Sequence, residues 1–298
     1  MSRRRWIAAA ITIVTLAALG AVARNQLKVY RSRQARAAAV SHQDPPRRPP
    51  QTIPAKRQAL FDLLQPVSLN NCQLERFGEA YDGGYLMCGN LLDDVRSAYS
   101  YGIAGYDKWG CDVSTRFGLT VHQYDCFDTT RTSCPGGSAI FHEECVAETA
   151  RRSEGRRFDT MTSQIAKNGD GAKRLVIKLD VEGAEWDSLL FAPDETLQRI
   201  DQMAIEFHWL YEKDFQWLDH HDKYLHVVQR LKQFFEIAHI HFNNASCVDD
   251  LQPFPSWAYE VLFVNKRLAS VDPSRKVRGP HPLDAPNNPA YEDCQAGR

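Results

Sequence analysis

Apolar and polar positions change their period several times along this chain, and the clearest block runs from Leu175 to Val181. Leu175, Val176, Ile177, Leu179 and Val181 form a nearly continuous apolar run. That pattern predicts a strand buried on both faces of a parallel sheet. The run stops at Asp180, Glu182 and Gly183, and Ala184 to Leu190 predicts the start of a helix. Gly183 suits a sharp strand-to-helix turn that needs a positive φ. Further strands are predicted at Ser97–Ile103, Leu119–Tyr124, Ile200–Trp209 and Tyr259–Asn265, with Ser138–Val146 as an edge strand. Another runs from Phe235 to the pair Asn243 and Asn244. Helices are predicted over Ala59–Leu64, Cys111–Phe117, Phe158–Lys167 and Tyr211–Phe234; in the last, Leu225, Val228, Leu231 and Phe235 recur at helical spacing. Asp82-Gly83-Gly84 marks a tight turn before a strand at Tyr85–Cys88. Strands alternating with helices give an α/β fold, doubly wound around a mostly parallel sheet in a single domain.

The ends of the chain carry other patterns. Residues 1–5 are basic, and Trp6 to Ala23 holds no charge, which is enough apolar length for a span of a thin bilayer. A signal anchor is the reading adopted, beside a signal peptide cleaved after Ala21-Val22-Ala23 and a mitochondrial presequence. Residues 24–56 form a basic, proline-bearing stem, with Pro45, Pro46, Pro49, Pro50 and Pro54 favouring an extended spacer. The domain is expected over 57–268, and 269–298, rich in proline and poor in apolar residues, is expected to be a loose tail. The stretch Arg151–Arg157 carries charge without a site pattern and is expected to be a loop.

Composition narrows the partners. The formal net charge is −1, so no concentrated positive surface announces nucleic acid as a partner. Positive residues after the apolar segment outnumber those before it, which favours a cytoplasmic C-terminal part. Eight cysteines argue the other way, toward an oxidising compartment. Candidate bridges are Cys72 with Cys88, and Cys126 with either Cys145 or Cys134.

Lys178-Leu-Asp-Val-Glu-Gly-Ala-Glu-Trp186 resembles the signature of the FkbM-type and related methyltransferase-like proteins, above all their membrane-anchored eukaryotic group. Asp82-Gly-Gly-Tyr-Leu-Met-Cys88, Tyr99-Ser-Tyr-Gly-Ile103 and Glu206-Phe-His-Trp209 add to the likeness, which covers roughly residues 70 to 265. The resemblance implies a Rossmann-like class I methyltransferase fold that uses S-adenosylmethionine. It also implies a type II membrane anchor with the domain in the Golgi or endoplasmic reticulum lumen. Secretion and the mitochondrion are the alternatives.

In open α/β sheets a ligand sits beyond the carboxyl ends of the strands. The donor is therefore expected on the loop that holds Gly102, Ile103 and Gly105, whose glycines would let the backbone approach it, although their spacing departs from the tight Rossmann pattern. Asp125, directly after the second strand, is placed to accept both ribose hydroxyls. In the resemblance it falls on that acidic position, and Asp180 completes the cofactor contacts. Asp180, Glu182 and His208 are the expected catalytic group, with His208 taking the acceptor's proton because imidazole titrates near neutrality. A divalent metal on Asp180, Glu182 and Asn243, of the magnesium or calcium kind, is the lesser expectation. His142 reads as a surface histidine within reach of an adenine edge. The sequon at Asn244 is expected to go unused. The expected reaction is O-methylation of a glycan or small metabolite; an inactive luminal binding or scaffold module is the alternative.

Overall fold

The computed structural model describes residues 52–208, 220–277 and 279–294. The expected anchor, most of the stem, Trp209 and the first part of the helix expected from Tyr211 lie outside them. No helix among the described residues is long and apolar enough to cross a membrane. These residues fall in a compact unit that begins at Thr52.

Helix α1 (Ile53–Leu63) starts where Thr52 accepts a hydrogen bond from the Ala55 amide, with Pro54 in its first turn. A hairpin follows, β1 (Leu74–Gly78) and β2 (Gly84–Cys88), paired antiparallel across the expected turn. Strand β3 (Ser97–Tyr101) leads to α2 (Lys108–Phe117), which Asp107 caps and Gly118 ends at φ 65°. Then come β4 (Thr120–Asp125) and β5 (Ser138–Glu143).

The charged stretch expected to be a loop is instead a small sheet. It contains β6 (Cys145–Val146), β7 (Arg151–Ser153) and β8 (Arg156–Asp159). Its alternation is too short and too charged to stand out as strand, and pairing between the strands decides it. The expected helix from Phe158 accordingly starts later, as α3 (Met161–Lys167). Next come β9 (Leu175–Leu179), α4 (Glu185–Phe191), α5 (Asp194–Arg199) and β10 (Ile200–Phe207). The chain then continues through α6 (His221–Phe234), β11 (Phe235–Phe242) and β12 (Tyr259–Asn265).

Seven strands form the central sheet in the order β11-β12-β10-β9-β3-β4-β5. Pairings are parallel throughout except at β12, which runs antiparallel to both β10 and β11. The expected doubly wound, mostly parallel α/β architecture is borne out. All of β9 is buried, and its alternate residues feed two cores. Leu175, Ile177 and Leu179 pack with Trp186, Val228 and Leu231 on one face. Val176 packs with Trp109, Val113 and the hairpin residues Phe77 and Tyr85 on the other. The strand order reverses between β3 and β9, the kind of place at which open α/β sheets seat their ligands.

All eight cysteines are paired, as Cys72–Cys88, Cys111–Cys134, Cys126–Cys145 and Cys247–Cys294. Cys126 thus takes Cys145 and not Cys134. The expected loose tail is revised as well. Residues 279–294 have no helix or strand, yet Asp284 bonds His239 at 2.8 Å and Asn287 bonds Glu260 at 2.8 Å. The Asn244 amide nitrogen donates to the carbonyls of Asn288 and Tyr291, both at 2.9 Å, so the sequon asparagine is buried and engaged. A tail of low apolar content is fastened here by polar contacts and a disulfide, which hydrophobic periodicity cannot reveal.

Candidate active site at the switch point

Beyond Leu179 the chain turns through two consecutive left-handed residues, Glu182 at φ 52° and Gly183 at φ 99°. Glycine adopts this region freely, whereas a glutamate there is strained. The loop after β3 has the same character, with Gly102, Ala104 and Gly105 at φ 72°, 45° and 76°. The loop after β3 packs on both its neighbours: a Cβ on Gly102 would run into the carbonyl oxygen of Asp180, and one on Gly105 into the carboxylate of Asp128, in the loop after β4. These glycines therefore serve the packing of loop on loop, which corrects the expectation that they admit a ligand. Ile103 is buried at the same loop.

Lys178 lies inside this corner, 5% exposed. Its Nζ donates to the Gly102 carbonyl at 2.8 Å and sits 3.3 Å from Asp180 Oδ2. Burial alone would disfavour its charge, but Asp180 and Asp107 outweigh that and raise its pKa. From the hairpin, the Tyr85 hydroxyl donates to Asp180 Oδ2 at 2.9 Å and stands 3.4 Å from Glu206 Oε2.

His208, at the end of β10, is 4% exposed and surrounded by acids. Its backbone N–H donates to Glu185 Oε1 at 2.6 Å, and its Nδ1 lies 3.3 Å from the same oxygen. Nε2 faces Glu182 Oε2 at 3.7 Å and Asp180 Oδ1 and Glu206 Oε1 at 3.8 Å each. Burial works against a charged ring, but Glu185, Glu206 and Asp180 together raise its pKa to about 9. The ring is thus a cation at neutral pH, which revises its expected role: as it stands it has no free lone pair with which to take a proton. Glu206 is pushed the opposite way from an ordinary carboxyl at this pH: burial, then the charges of Asp180 and Glu260, raise its pKa well above the usual range.

Asp180, Glu182 and His208 each offer a ligand atom, and these atoms lie within 4.8 Å of one another. The Asn243 expected in such a set is elsewhere engaged. Its Nδ2 donates to Glu206 Oε1 at 2.8 Å and its Oδ1 accepts from the Ala245 amide at 2.9 Å. With an imidazole in place of the amide, the donor set suits manganese, zinc or iron better than magnesium or calcium. Glu185, on the far nitrogen of the ring, occupies the position from which a carboxylate orients a metal-bound histidine.

Asp125 stands where expected, at the end of β4, but its carboxylate is already used. Oδ2 accepts from the Ala104 amide at 2.9 Å, and Oδ1 from Phe127 at 2.8 Å and Asp128 at 3.1 Å. A carboxylate has about four acceptor sites, so little is left for the two-hydroxyl grip expected of it. Asp125 braces the Gly102–Gly105 loop from one side while Lys178 holds it from the other. His142 is not a free surface ring either: it stacks on Tyr124 at 4.4 Å, and its Nε2 is 3.0 Å from His122 Nδ1.

Sequence reasoning passed over Tyr85, Lys178 and Glu185 as site residues. Lys178 did leave a signal, a lone charge inside an otherwise apolar strand. Glu185 left none, because an acid in the first turn of a helix is ordinary.

No family model matches the chain, and no curated protein matches it. The resemblance to FkbM-type proteins thus gains no support from these comparisons. Among solved structures, the chain is similar to the Methanococcus jannaschii fibrillarin pre-rRNA processing protein. The TM-score is 0.35 and the identity 11%, over 59% of this chain and 69% of that one. A likeness of that degree carries no argument about activity.

Proposed function

We propose that this domain is an S-adenosylmethionine-dependent methyltransferase acting on a hydroxyl group, in a membrane-anchored protein. The observation that carries the reading is the convergence of Asp180, Glu182 and His208 at the carboxyl ends of β9 and β10, beside the point where the strand order reverses. When bound, S-adenosylmethionine supplies an electrophilic methyl group on a sulfonium. Its seat would be at the carboxyl ends of β3 and β4, beside Ile103 and Asp125 and away from the Asp180 carboxylate. Asp125 fits it only in part, with room for a single hydroxyl.

The chain's own residues handle the acceptor. Of the two carboxylates Glu182, the exposed one, accepts the single hydroxyl proton as the oxygen attacks. Asp180 stays charged, held by Tyr85 and Lys178, and the charged His208 offsets the negative charge of the pair. Acids close to the sulfonium itself would favour the ground state over the transition state, so their place is at the acceptor. Alignment supplies most of the remaining rate enhancement. A divalent cation on Asp180, Glu182 and His208 would displace the imidazole proton and acidify a bound hydroxyl. The acceptor is a hydroxyl of a glycan or small metabolite. Four disulfides favour the luminal side of a secretory membrane.

A second reading, an idle domain kept for binding, is favoured by the three backbone amides already held by Asp125. Calorimetric titration of the full chain with S-adenosylmethionine separates the two. Saturable heat supports the enzyme, and a flat titration with and without Mn²⁺ supports the idle domain.

A further inference from the structure

Residues 279–294 form a strap against β12 and β11, and a row of ionisable side chains lies beneath it. Glu206 of β10 stands opposite Glu260 of β12, and Glu260 opposite His241 of β11. His239, two residues before His241, shares its face. All four are buried. The strap partners three of them: Asp284 bonds His239 at 2.8 Å, Asn287 bonds Glu260 at 2.8 Å, and Asp293 pairs with His241 at 3.6 Å. The fourth, Glu206, ends the row at the Asp180 corner, 3.8 Å from His208 Nε2. Ionisable groups are costly to bury unless they are paired, so the strap is what keeps this row closed.

Little of the strap's hold is apolar. Its two large apolar side chains, Leu283 and Tyr291, are 43% and 64% exposed. Further ties are polar, from Asn287 to Asp82 at 3.0 Å and from Asn244 to the carbonyls of Asn288 and Tyr291 at 2.9 Å. Water replaces such bonds at small net cost. The covalent tie is Cys247–Cys294, at the end of the strap. Its cysteines are 47 residues apart, against 16, 23 and 19 in the other bridges, and a crosslink that closes a longer loop restricts the unfolded chain more.

This bridge is also the one within easiest reach of a reductant. Cys247 is exposed and Cys294 half-buried, and a surface recess of about 330 Å³ borders both. Two other bridges each have a buried cysteine, Cys88 or Cys126, and both members of Cys111–Cys134 are half-buried. Thiol–disulfide exchange requires a thiolate to reach a sulfur of the bridge. We infer that Cys247–Cys294 is a redox latch, whose reduction by a dithiol frees the strap and uncovers the row from His239 to Glu206. One thiolate of the reductant attacks a bridge sulfur, and its second thiol resolves the mixed disulfide. The bridge becomes two cysteine thiols and the reductant a disulfide; the reverse exchange closes the latch. The latch works whether or not the domain transfers methyl groups.

Timed reduction of the full chain with dithiothreitol, trapped by iodoacetamide and mapped by mass spectrometry, tests it. Cys247 and Cys294 should be labelled about tenfold faster than the cysteines of the other three bridges. In the form opened at that bridge alone, diethyl pyrocarbonate should modify His239 and His241 about fivefold faster than in the oxidised protein, with His122, buried in β4, unchanged. The double variant Cys247→Ser/Cys294→Ser should show the same histidine reactivity without reductant. Equal or faster labelling of another bridge would overturn the inference. So would unchanged reactivity of His239 and His241, since the strap would then stay in place on its polar contacts. A rise at His122 in step with the other two would also overturn it, making the bridge a staple of the whole domain.

Discussion

The phenol of Tyr85 donates to Asp180 Oδ2 at 2.9 Å, tying the β1–β2 hairpin to the carboxyl end of the central strand. Tyr85 is 2% exposed, and Asp180 and Glu206 raise the pKa of its hydroxyl further after burial has already done so. It is therefore a donor at every physiological pH. Tyr85→Phe removes that donor and leaves the Asp180 carboxylate short of a partner. The expected loss is about 1–3 kcal/mol, seen as a fall in thermal midpoint of roughly 2–10 °C for a domain of this size. Differential scanning calorimetry checks it. An unchanged midpoint would mean that apolar packing, the Cys72–Cys88 bridge and the Gln202 side chain hold the hairpin without the phenol.

Glu185 gives a test of the cation set that spares the ligands themselves. It is fully buried and its Oε1 lies 3.3 Å from His208 Nδ1. Titration of Mn²⁺ into the full chain should show a saturable site, and Glu185→Gln should weaken it about 10–100-fold, the usual cost of losing an orienting carboxylate. Asp180→Asn should abolish it. Wild-type protein with no Mn²⁺ or Zn²⁺ uptake would remove the cation from the reaction and leave His208 as a fixed positive charge.

Glu182→Gly separates stability from chemistry. A non-glycine residue in the left-handed region costs about 1–2 kcal/mol, and Glu182 sits there at φ 52° with its side chain 72% exposed. Glycine relieves the strain and gives part of the gain back in unfolded-state entropy. A small rise in thermal midpoint is expected, about 1–3 °C, together with weaker Mn²⁺ uptake and slower methyl transfer. A fall in midpoint without any effect on uptake would show that Glu182 serves the turn and not the site.

The contrast between Asp180 and Asp125 shows what sequence can and cannot reveal here. Asp180 follows an apolar strand and Asp125 closes one that alternates apolar and polar residues, Thr120–Asp125; both fall at carboxyl ends, because strand position is written in those patterns. The same holds for β12, whose bounds were legible from Tyr259 to Asn265. Which way each carboxylate turns depends on loop backbone that comes from elsewhere in the chain. Asp125 is claimed by the amides of Ala104, Phe127 and Asp128, and nothing in its neighbourhood in sequence announces Ala104. His208 shows the same limit in electrostatic form. Its raised pKa needs Glu185 and Asp180 from another strand and helix, so an imidazole that looks like a neutral base becomes a cation only in the fold. Contacts among the polar residues of the C-terminal stretch were likewise invisible to a reading based on apolar period.

His122 makes the acid limit of stability predictable. The ring is 6% exposed within β4; its Nε2 lies 3.4 Å from Asp170 Oδ2 and its Nδ1 3.0 Å from His142 Nε2. The carboxylate can only accept, so Nε2 carries the proton and Nδ1 accepts from His142, an arrangement that both rings satisfy when neutral. Burial lowers the His122 pKa to about 4, against the pull of Asp170, and lowers that of His142 as well. Between about pH 4 and the unfolded value near 6.5 the unfolded chain binds more protons than the native one, so stability climbs with pH through that window. The stabilisation is full above about pH 6.5 and lost as pH falls toward 4, and for His122 it reaches about 3 kcal/mol at most. Glu206 and His208, whose pKa values are raised, pull the other way, so the test is the comparison. The change in urea midpoint from pH 5 to pH 7 should be less favourable to pH 7 in His122→Asn, which cannot be protonated, than in the wild type. A difference equally large in that variant would move the acid sensitivity to other groups.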